Sequence, residues 1–385
     1  MLMRNRLVVS LAIVFVLIAS GCSGADQDVA EQPLAAAGDE PTPTSTPAPT
    51  EAPAPTATPE PTDVPEPTAE PEPTEVAEPT AAPAAAPNPS GSGCGAGVQP
   101  GITSESFEFE DRERVYEQVV PASYDDSTPM AVVLNWHGLG SNGVEQVGFS
   151  DYASLAENEG FIVIAPTGIP SPGDTRNSWE LAPEQDPTRD DLAFANTLLD
   201  LVIATLCVDE SRVYTTGMSN GGYFSSLLVC HMSERIAAAA SVAALNHPDD
   251  CEPSRIVPYI GFHGTEDDVV PYDGSGESSL APGEVIELFQ LKILDEFTEF
   301  AVEAGCEVEP TVSDYSENVT AFDFGGCPNE VPMTFYEIEG AGHTWPGSLI
   351  SLALSESIGL GITTNEINAS QVSWDFFEQH ALPAP

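Results

Sequence analysis

Between residue 23 and about residue 92 the chain has no Lys, no Arg and no aromatic residue, while Pro-Thr and Glu-Pro steps recur throughout. Such a segment cannot bury enough apolar surface to offset its chain entropy. Its prolines and 13 mutually repelling carboxylates keep it extended. Folding is thereby confined to residues 93–385, long enough for one large core. Residues 23–92 are expected to be a disordered Pro/Thr/Glu-rich stalk that holds this domain away from a surface.

The first 22 residues read as an export signal. Arg4 and Arg6 precede an apolar stretch, Leu7 to Ile18, interrupted only by Ser10, and Ala19-Ser20-Gly21-Cys22 follows. That stretch is shorter than the ~20 residues a transmembrane helix needs. The closing cysteine makes it resemble a bacterial lipoprotein signal, which implies cleavage and lipidation at Cys22. A plain signal peptide that releases a soluble protein is the alternative. Either way the protein is expected outside the cytoplasm, with any membrane contact made through a lipid at Cys22.

Ten basic residues face 61 acidic ones, a net charge of −51. Phosphate binding needs clustered Lys and Arg, so no nucleic-acid partner is expected. The stalk does not account for this imbalance, because 48 acids and eight bases lie in residues 93–385. A solvated acidic surface is one reading. A saline habitat, in which salt screens the self-repulsion, is the sharper one.

Beyond Cys22 the cysteines are Cys94, Cys207, Cys230, Cys251, Cys306 and Cys327. An even number in an exported chain suggests three disulfides, for which fifteen pairings exist. Short loops favour Cys306–Cys327 and Cys230–Cys251, leaving Cys94–Cys207. No Cys-x-x-Cys or His-x-x-x-His spacing is present, so neither a metal nor another cofactor is expected.

Apolar runs suited to buried strands alternate with longer helical patterns. The strand candidates are 116–120, 131–136, 161–165, 212–216, 237–243, 257–263 and 333–338. The helix candidates are 147–158, 191–206, 221–232, 284–304 and 371–380. Several strands are continuous apolar runs, as expected when both faces of a sheet are covered. The alternation predicts an α/β sandwich with a mostly parallel central sheet and helices on both faces. Active sites of such sheets lie at the carboxyl ends of the strands.

Four strand-end loops carry residues with chemical potential. Gly217-Met218-Ser219-Asn220-Gly221 lies between a strand and a helix, the setting in which Gly-x-Ser-x-Gly presents a nucleophilic serine. A serine hydroxyl needs a base. Of six histidines, His343 sits in a glycine-rich loop after the last strand, Gly340-Ala341-Gly342-His343-Thr344-Trp345-Pro346-Gly347, and is chosen as that base. An acid to orient it is sought in His263-Gly264-Thr265-Glu266-Asp267-Asp268, where spacing cannot separate Glu266, Asp267 and Asp268. Asn135-Trp136-His137-Gly138-Leu139-Gly140 offers backbone donors. An oxyanion hole would combine the N–H groups of Leu139 and Asn220.

Together, His137-Gly138, the 217–221 elbow, His263-Gly264-Thr265-x-Asp267 with Val270-Pro271-Tyr272, and Gly342-His343-Thr344-Trp345-Pro346-Gly347 resemble the secreted polyhydroxybutyrate depolymerase and feruloyl esterase group of α/β-hydrolases. Cys207-Val208-Asp209, Asn177-Ser178-Trp179 and Asp190-Asp191 extend the resemblance, which covers roughly residues 93–382. It implies an α/β-hydrolase fold with Ser219 as nucleophile, Asp267 as acid and His343 as base. It thereby chooses among the three acids.

The resulting expectation is an extracytoplasmic serine carboxylesterase acting through an acyl-enzyme. Its substrates would be hydroxyalkanoate oligomers or feruloyl and acetyl esters of polysaccharides. Trp136, Trp179 and Trp345 either line the pocket mouth or belong to the core. A serine peptidase of the same fold, a thioesterase and a non-catalytic surface binding lipoprotein are the competing readings.

Overall fold

The structure is a computed structural model that describes residues 92–181, 188–245, 251–283 and 285–383, all within one compact unit, Ala81–Pro385. The export signal, Cys22 and the stalk up to residue 91 lie outside the described residues.

In chain order the elements are β1 (Gly101–Phe109), β2 (Arg112–Val120), β3 (Met130–Trp136), α1 (Gly143–Ser150), α2 (Tyr152–Glu159) and β4 (Ile162–Pro166). Two short strands follow, β5 (Ile169–Pro170) and β6 (Asn177–Ser178), then α3 (Asp191–Thr205), β7 (Val208–Met218), α4 (Asn220–His231), β8 (Ala238–Val242) and β9 (Tyr259–Gly264). The chain continues through α5 (Ile293–Glu303), β10 (Thr311–Asp314), β11 (Val319–Phe324), β12 (Met333–Ile338), α6 (Leu349–Leu354) and α7 (Ala369–Phe377).

The main sheet has the order β1-β2-β4-β3-β7-β8-β9-β12-β11-β10. Its six central strands run parallel, from β4 to β12, and an antiparallel pair closes each edge. This is an α/β-hydrolase fold. Successive side chains of a strand point to opposite faces, and β3 shows the consequence. Val132, Leu134 and Trp136 join an apolar layer with Phe194 of α3, Phe224 of α4 and Phe297 of α5. Ala131 and Val133 join the opposite layer, with Tyr152 of α2 and Trp374 and Phe377 of α7. Both faces are covered, which is why the central strands read as continuous apolar runs.

Three bonds staple this frame: Cys94–Cys207, Cys230–Cys251 and Cys306–Cys327. Two helices differ from the sequence expectation. The segment 147–158 is interrupted because Asp151 adopts φ 58°, ending α1 and opening α2. The segment 284–304 is helical only as a single 3-10 turn, Glu287–Phe289, and as α5 from Ile293. Ahead of it Val285 bridges Glu277 and the Ile286 N–H donates to Gly276 O at 2.8 Å, so that stretch spends its backbone bonds on another part of the chain.

Candidate active site

The residues singled out by sequence lie past the carboxyl ends of four parallel strands: Leu139 after β3, Ser219 after β7, Asp267 after β9 and His343 after β12. The topology alone therefore brings them to one edge of the sheet.

Ser219 has φ 56° and ψ −124°, a backbone conformation that costs energy for a residue with a side chain. Its N–H donates to Val242 O at the end of β8 (2.9 Å), and its C=O accepts from Tyr223 N in the first turn of α4 (2.9 Å). Both flanking glycines are required by close backbone approach. A Cβ on Gly217 would lie 2.3 Å from Gly221 O, and one on Gly221 would lie 2.2 Å from Trp136 O. The tight turn leaves Ser219 Oγ at the start of a helix, where the backbone dipole favours negative charge.

The loops after β9 and β12 are zipped together by Glu266 N to Ala341 O and by Gly340 N to Thr265 Oγ1, both 2.9 Å. This brings His343 Nδ1 to 2.8 Å from Asp267 Oδ2. Asp267 Oδ1 accepts from the N–H groups of Val269 (2.9 Å) and Val270 (2.8 Å). Burial alone would raise the Asp267 carboxyl. The charge and hydrogen bond of His343, with a second contact from His263, outweigh it and hold Asp267 well below the usual carboxylate range. Glu266 and Asp268 are exposed, while Asp267 is buried.

Asp267 and His343 are thus brought into contact. Among the described residues no hydrogen bond joins Ser219 Oγ to His343 Nε2, and neither atom is a buried, unpartnered group. In the absence of substrate such bonds are commonly long and tighten in the complex.

On the other side of Ser219 the loop after β3 approaches through Gly138, where a Cβ would lie 3.3 Å from Ser219 Cβ. Among the described residues neither the Leu139 nor the Asn220 backbone N–H has a protein acceptor. Two features that the sequence reading passed over hold this loop. His137 is buried; its Nε2 accepts from Gly168 N at 2.9 Å, so the ring hydrogen sits on Nδ1 and meets Gly138 O at 2.6 Å. That carbonyl belongs to the same peptide as the Leu139 N–H, so His137 fixes the direction in which this donor points. Desolvation pushes the His137 imidazolium down to about 4.

The second feature is the Asn177-Ser178-Trp179 strap. Asn177 O accepts from Gly140 N (2.8 Å), and Asn177 Nδ2 donates to Ser141 O (2.9 Å). The Asn220 side chain accepts from Trp179 N (2.6 Å) and donates to Trp179 O (3.1 Å). Below the strap Asp191 is buried between Arg114 and Arg189, each at 3.1 Å. The only sequence signal for either feature lay in the motif context of His137-Gly138, Asn177-Ser178-Trp179 and Asp190-Asp191.

The three tryptophans are a correction to the pocket-mouth reading. Trp136, Trp179 and Trp345 are 0, 2 and 0% exposed. Trp136 packs edge-on against Trp179 and Phe224, and its Nε1–H donates to Thr215 Oγ1 at 2.8 Å. Trp179 Nε1–H donates to His137 O, and Trp345 Nε1–H to Ser370 Oγ. Covered rings with satisfied N–H groups are core residues. Among the described residues no cluster of three His, Cys, Asp or Glu side chains is placed to hold a metal ion.

No protein-family model matches the chain. It is 27% identical over 268 residues to feruloyl esterase B of Piromyces equi, covering 68% of this chain and 44% of that one. A bifunctional acetylxylan esterase/xylanase of Neocallimastix patriciarum is 25% identical over 229 residues, 58% of this chain and 30% of that one. The chain therefore spans less than half the length of these two relatives. The probable feruloyl esterase C of Aspergillus terreus matches more evenly, 27% identical over 295 residues, 74% of this chain and 90% of the other. Among solved structures, an acetyl xylan esterase from Aspergillus awamori superposes with a TM-score of 0.47 at 15% identity, covering 67% of this chain and 100% of that one. By its own strand order the chain has the α/β-hydrolase fold, and in sequence it is similar to these feruloyl and acetylxylan esterases.

Proposed function

We propose that the protein is an exported serine carboxylic-ester hydrolase in which Ser219 is the nucleophile, His343 the general base and acid, and Asp267 the residue that orients His343. The observation that carries this reading is the buried Asp267–His343 pair, 2.8 Å apart, on the sheet edge where Ser219 occupies its strained turn. With Nδ1–H bound to Asp267, His343 Nε2 is the nitrogen left to take the serine proton.

Ser219 Oγ attacks the ester carbonyl carbon as its proton passes to His343 Nε2. The carbonyl oxygen becomes an oxyanion and accepts from the Leu139 and Asn220 N–H groups. The tetrahedral intermediate collapses, the C–O bond to the alcohol breaks, and His343 Nε2–H protonates the departing oxygen. Water then attacks the acyl-enzyme, gives a proton to His343, and Ser219 leaves with that proton restored. Asp267 stays ionised throughout, which stabilises the imidazolium without a second proton transfer.

The names of the sequence relatives favour feruloyl or acetyl esters of polysaccharides as substrates, with hydroxyalkanoate oligomers as the second class. The signal-like segment, Cys22 and the 23–92 stalk make the enzyme a surface-tethered one in this reading. The test is hydrolysis of methyl ferulate, 4-nitrophenyl acetate, acetylated xylan and a hydroxybutyrate oligomer by the oxidised protein and by its Ser219→Ala variant. Ester turnover that falls by ~10³-fold or more in the variant supports the reading. Turnover of peptides alone, or ester turnover unchanged by the substitution, overturns it.

A further inference from the structure

The acid loop is held by a second histidine that the reaction scheme leaves idle. His263 lies near the end of β9 and is 1% exposed. Its Nε2 is 2.9 Å from Val270 O and 3.2 Å from Asp267 Oδ2. Two facing acceptors place the ring hydrogen on Nε2. The better-directed bond goes to Val270 O, and Asp267 takes the weaker share. Nδ1 is buried without a hydrogen-bond partner, a cost that a residue kept only to fill space would not carry.

Asp267 is therefore approached by four nitrogens. Val269 N and Val270 N lie on Oδ1, while His343 Nδ1 and His263 Nε2 share Oδ2. We propose that His263 is a positioning residue for the Asp267–His343 pair: by sharing Oδ2 it fixes the rotation of the carboxylate and limits how strongly that oxygen holds the His343 Nδ1–H. This inference rests on the reading of Asp267 and His343 as acid and base. An acceptor divided between two donors is weaker toward each. Without His263, Oδ2 would serve His343 alone and favour its protonated form, which cannot act as a base.

The other ionisable groups near this cluster are arranged so as to leave that oxygen to the two histidines. Tyr223 of α4 stays protonated, raised first by burial and then by the Asp267 charge. The Tyr272 ring lies 5.9 Å from that of His263; its hydroxyl donates to Glu337 of β12, and Lys292 Nζ sits 5.3 Å above the ring. Glu266 and Asp268 face solvent.

The test uses the full oxidised chain with His263→Leu, His263→Gln and His263→Asn. Glutamine carries its amide nitrogen to the place of Nε2, whereas asparagine reaches only that of Nδ1. In the Leu and Asn variants the acid limb of the pH–kcat/KM profile should move up by roughly one pH unit, because a more tightly held His343 needs a higher pH to lose its proton. At the plateau kcat should fall roughly tenfold with KM unchanged, since substrate is not touched. The far-downfield proton NMR resonance of His343 Nδ1–H should move further downfield in the same two variants. His263→Gln should restore the profile and the resonance. An unmoved acid limb and resonance in His263→Leu, or indistinguishable Gln and Asn variants, would overturn the proposal. If His263→Leu does not fold, the Gln and Asn pair decides alone. If the wild type shows no Ser219-dependent turnover, the esterase reading fails, while the resonance still scores His263.

Discussion

At the scale of single residues the site is built from side chains held by what surrounds them. Asp267 is ionised because two backbone N–H groups and two histidines face it, although burial opposes the charge. His137 illustrates the opposite outcome. Its imidazolium is pushed down to about 4 by desolvation, from an ordinary value near 6.5. A histidine that resists protonation only when folded makes stability full above pH ~6.5 and lets it decline as pH falls toward 4, because the unfolded chain binds the proton first. The contribution at stake is on the order of 3 kcal/mol. Urea unfolding of the wild type and of His137→Gln at pH 7 and pH 5 checks this. The wild type should lose more stability between the two pH values than the variant, and equal losses would show that His137 is not the group responsible.

Elements carry the next constraint, since the serine turn exists only where β7 and α4 come close to the end of β3. A methyl group on Gly221 would lie 2.2 Å from Trp136 O and 2.5 Å from Trp136 C, backbone atoms that cannot step aside. Gly221→Ala should therefore destabilise the protein by ~3 kcal/mol or more and yield little soluble product, whereas Ser219→Ala should fold normally. A Gly221→Ala variant that melts with the wild type would contradict this packing.

These central elements were legible because a strand buried on both faces, such as β3 or β8, must be apolar throughout. The edge was not. β1 (Gly101–Phe109) has no buried residue, and β10 (Thr311–Asp314) is exposed along its whole length, so their pairing comes from neighbouring strands rather than from apolar content. β11 carries a weaker signal, Val319 and Ala321 buried at alternate positions rather than a continuous apolar run. The elbow, the His343 loop and Asp267 were visible as motifs. The strap of Trp179 on Asn220 and the clamp of His137 on Gly168 were not, because a hydrogen bond between loops distant in sequence leaves no periodic trace. The tryptophans stood open between pocket and core for a related reason: sequence position near a site does not say which way a ring points.

For the molecule as a whole, charge is the property that most needs explaining. Residues 93–385 hold 48 acids against eight bases. Several of the few cations are committed: Arg114 and Arg189 to Asp191, Arg212 to Asp209, Arg235 to Asp200. The remaining carboxylates repel one another, and the repulsion is relieved when salt shortens its range to ~10 Å at 0.1 M and ~3 Å at 1 M. The melting temperature should accordingly climb by several degrees between 0.02 and 1 M NaCl, roughly 2–4 °C for each kcal/mol recovered in a domain of this size. A flat response by thermal scan would show that the acidity is tolerated without help from salt, and would remove the case for a saline habitat.

The central claim is that Ser219 carries the acyl group. It is tested most directly by quenching the oxidised protein in acid within the first turnovers of 4-nitrophenyl acetate and mapping its peptides by mass spectrometry. The account predicts a burst of 4-nitrophenol equal to the enzyme present and one acetyl group on the peptide containing Ser219, both absent from Ser219→Ala. Turnover without a trapped acyl group on that peptide, or an acyl group on another side chain, would contradict it.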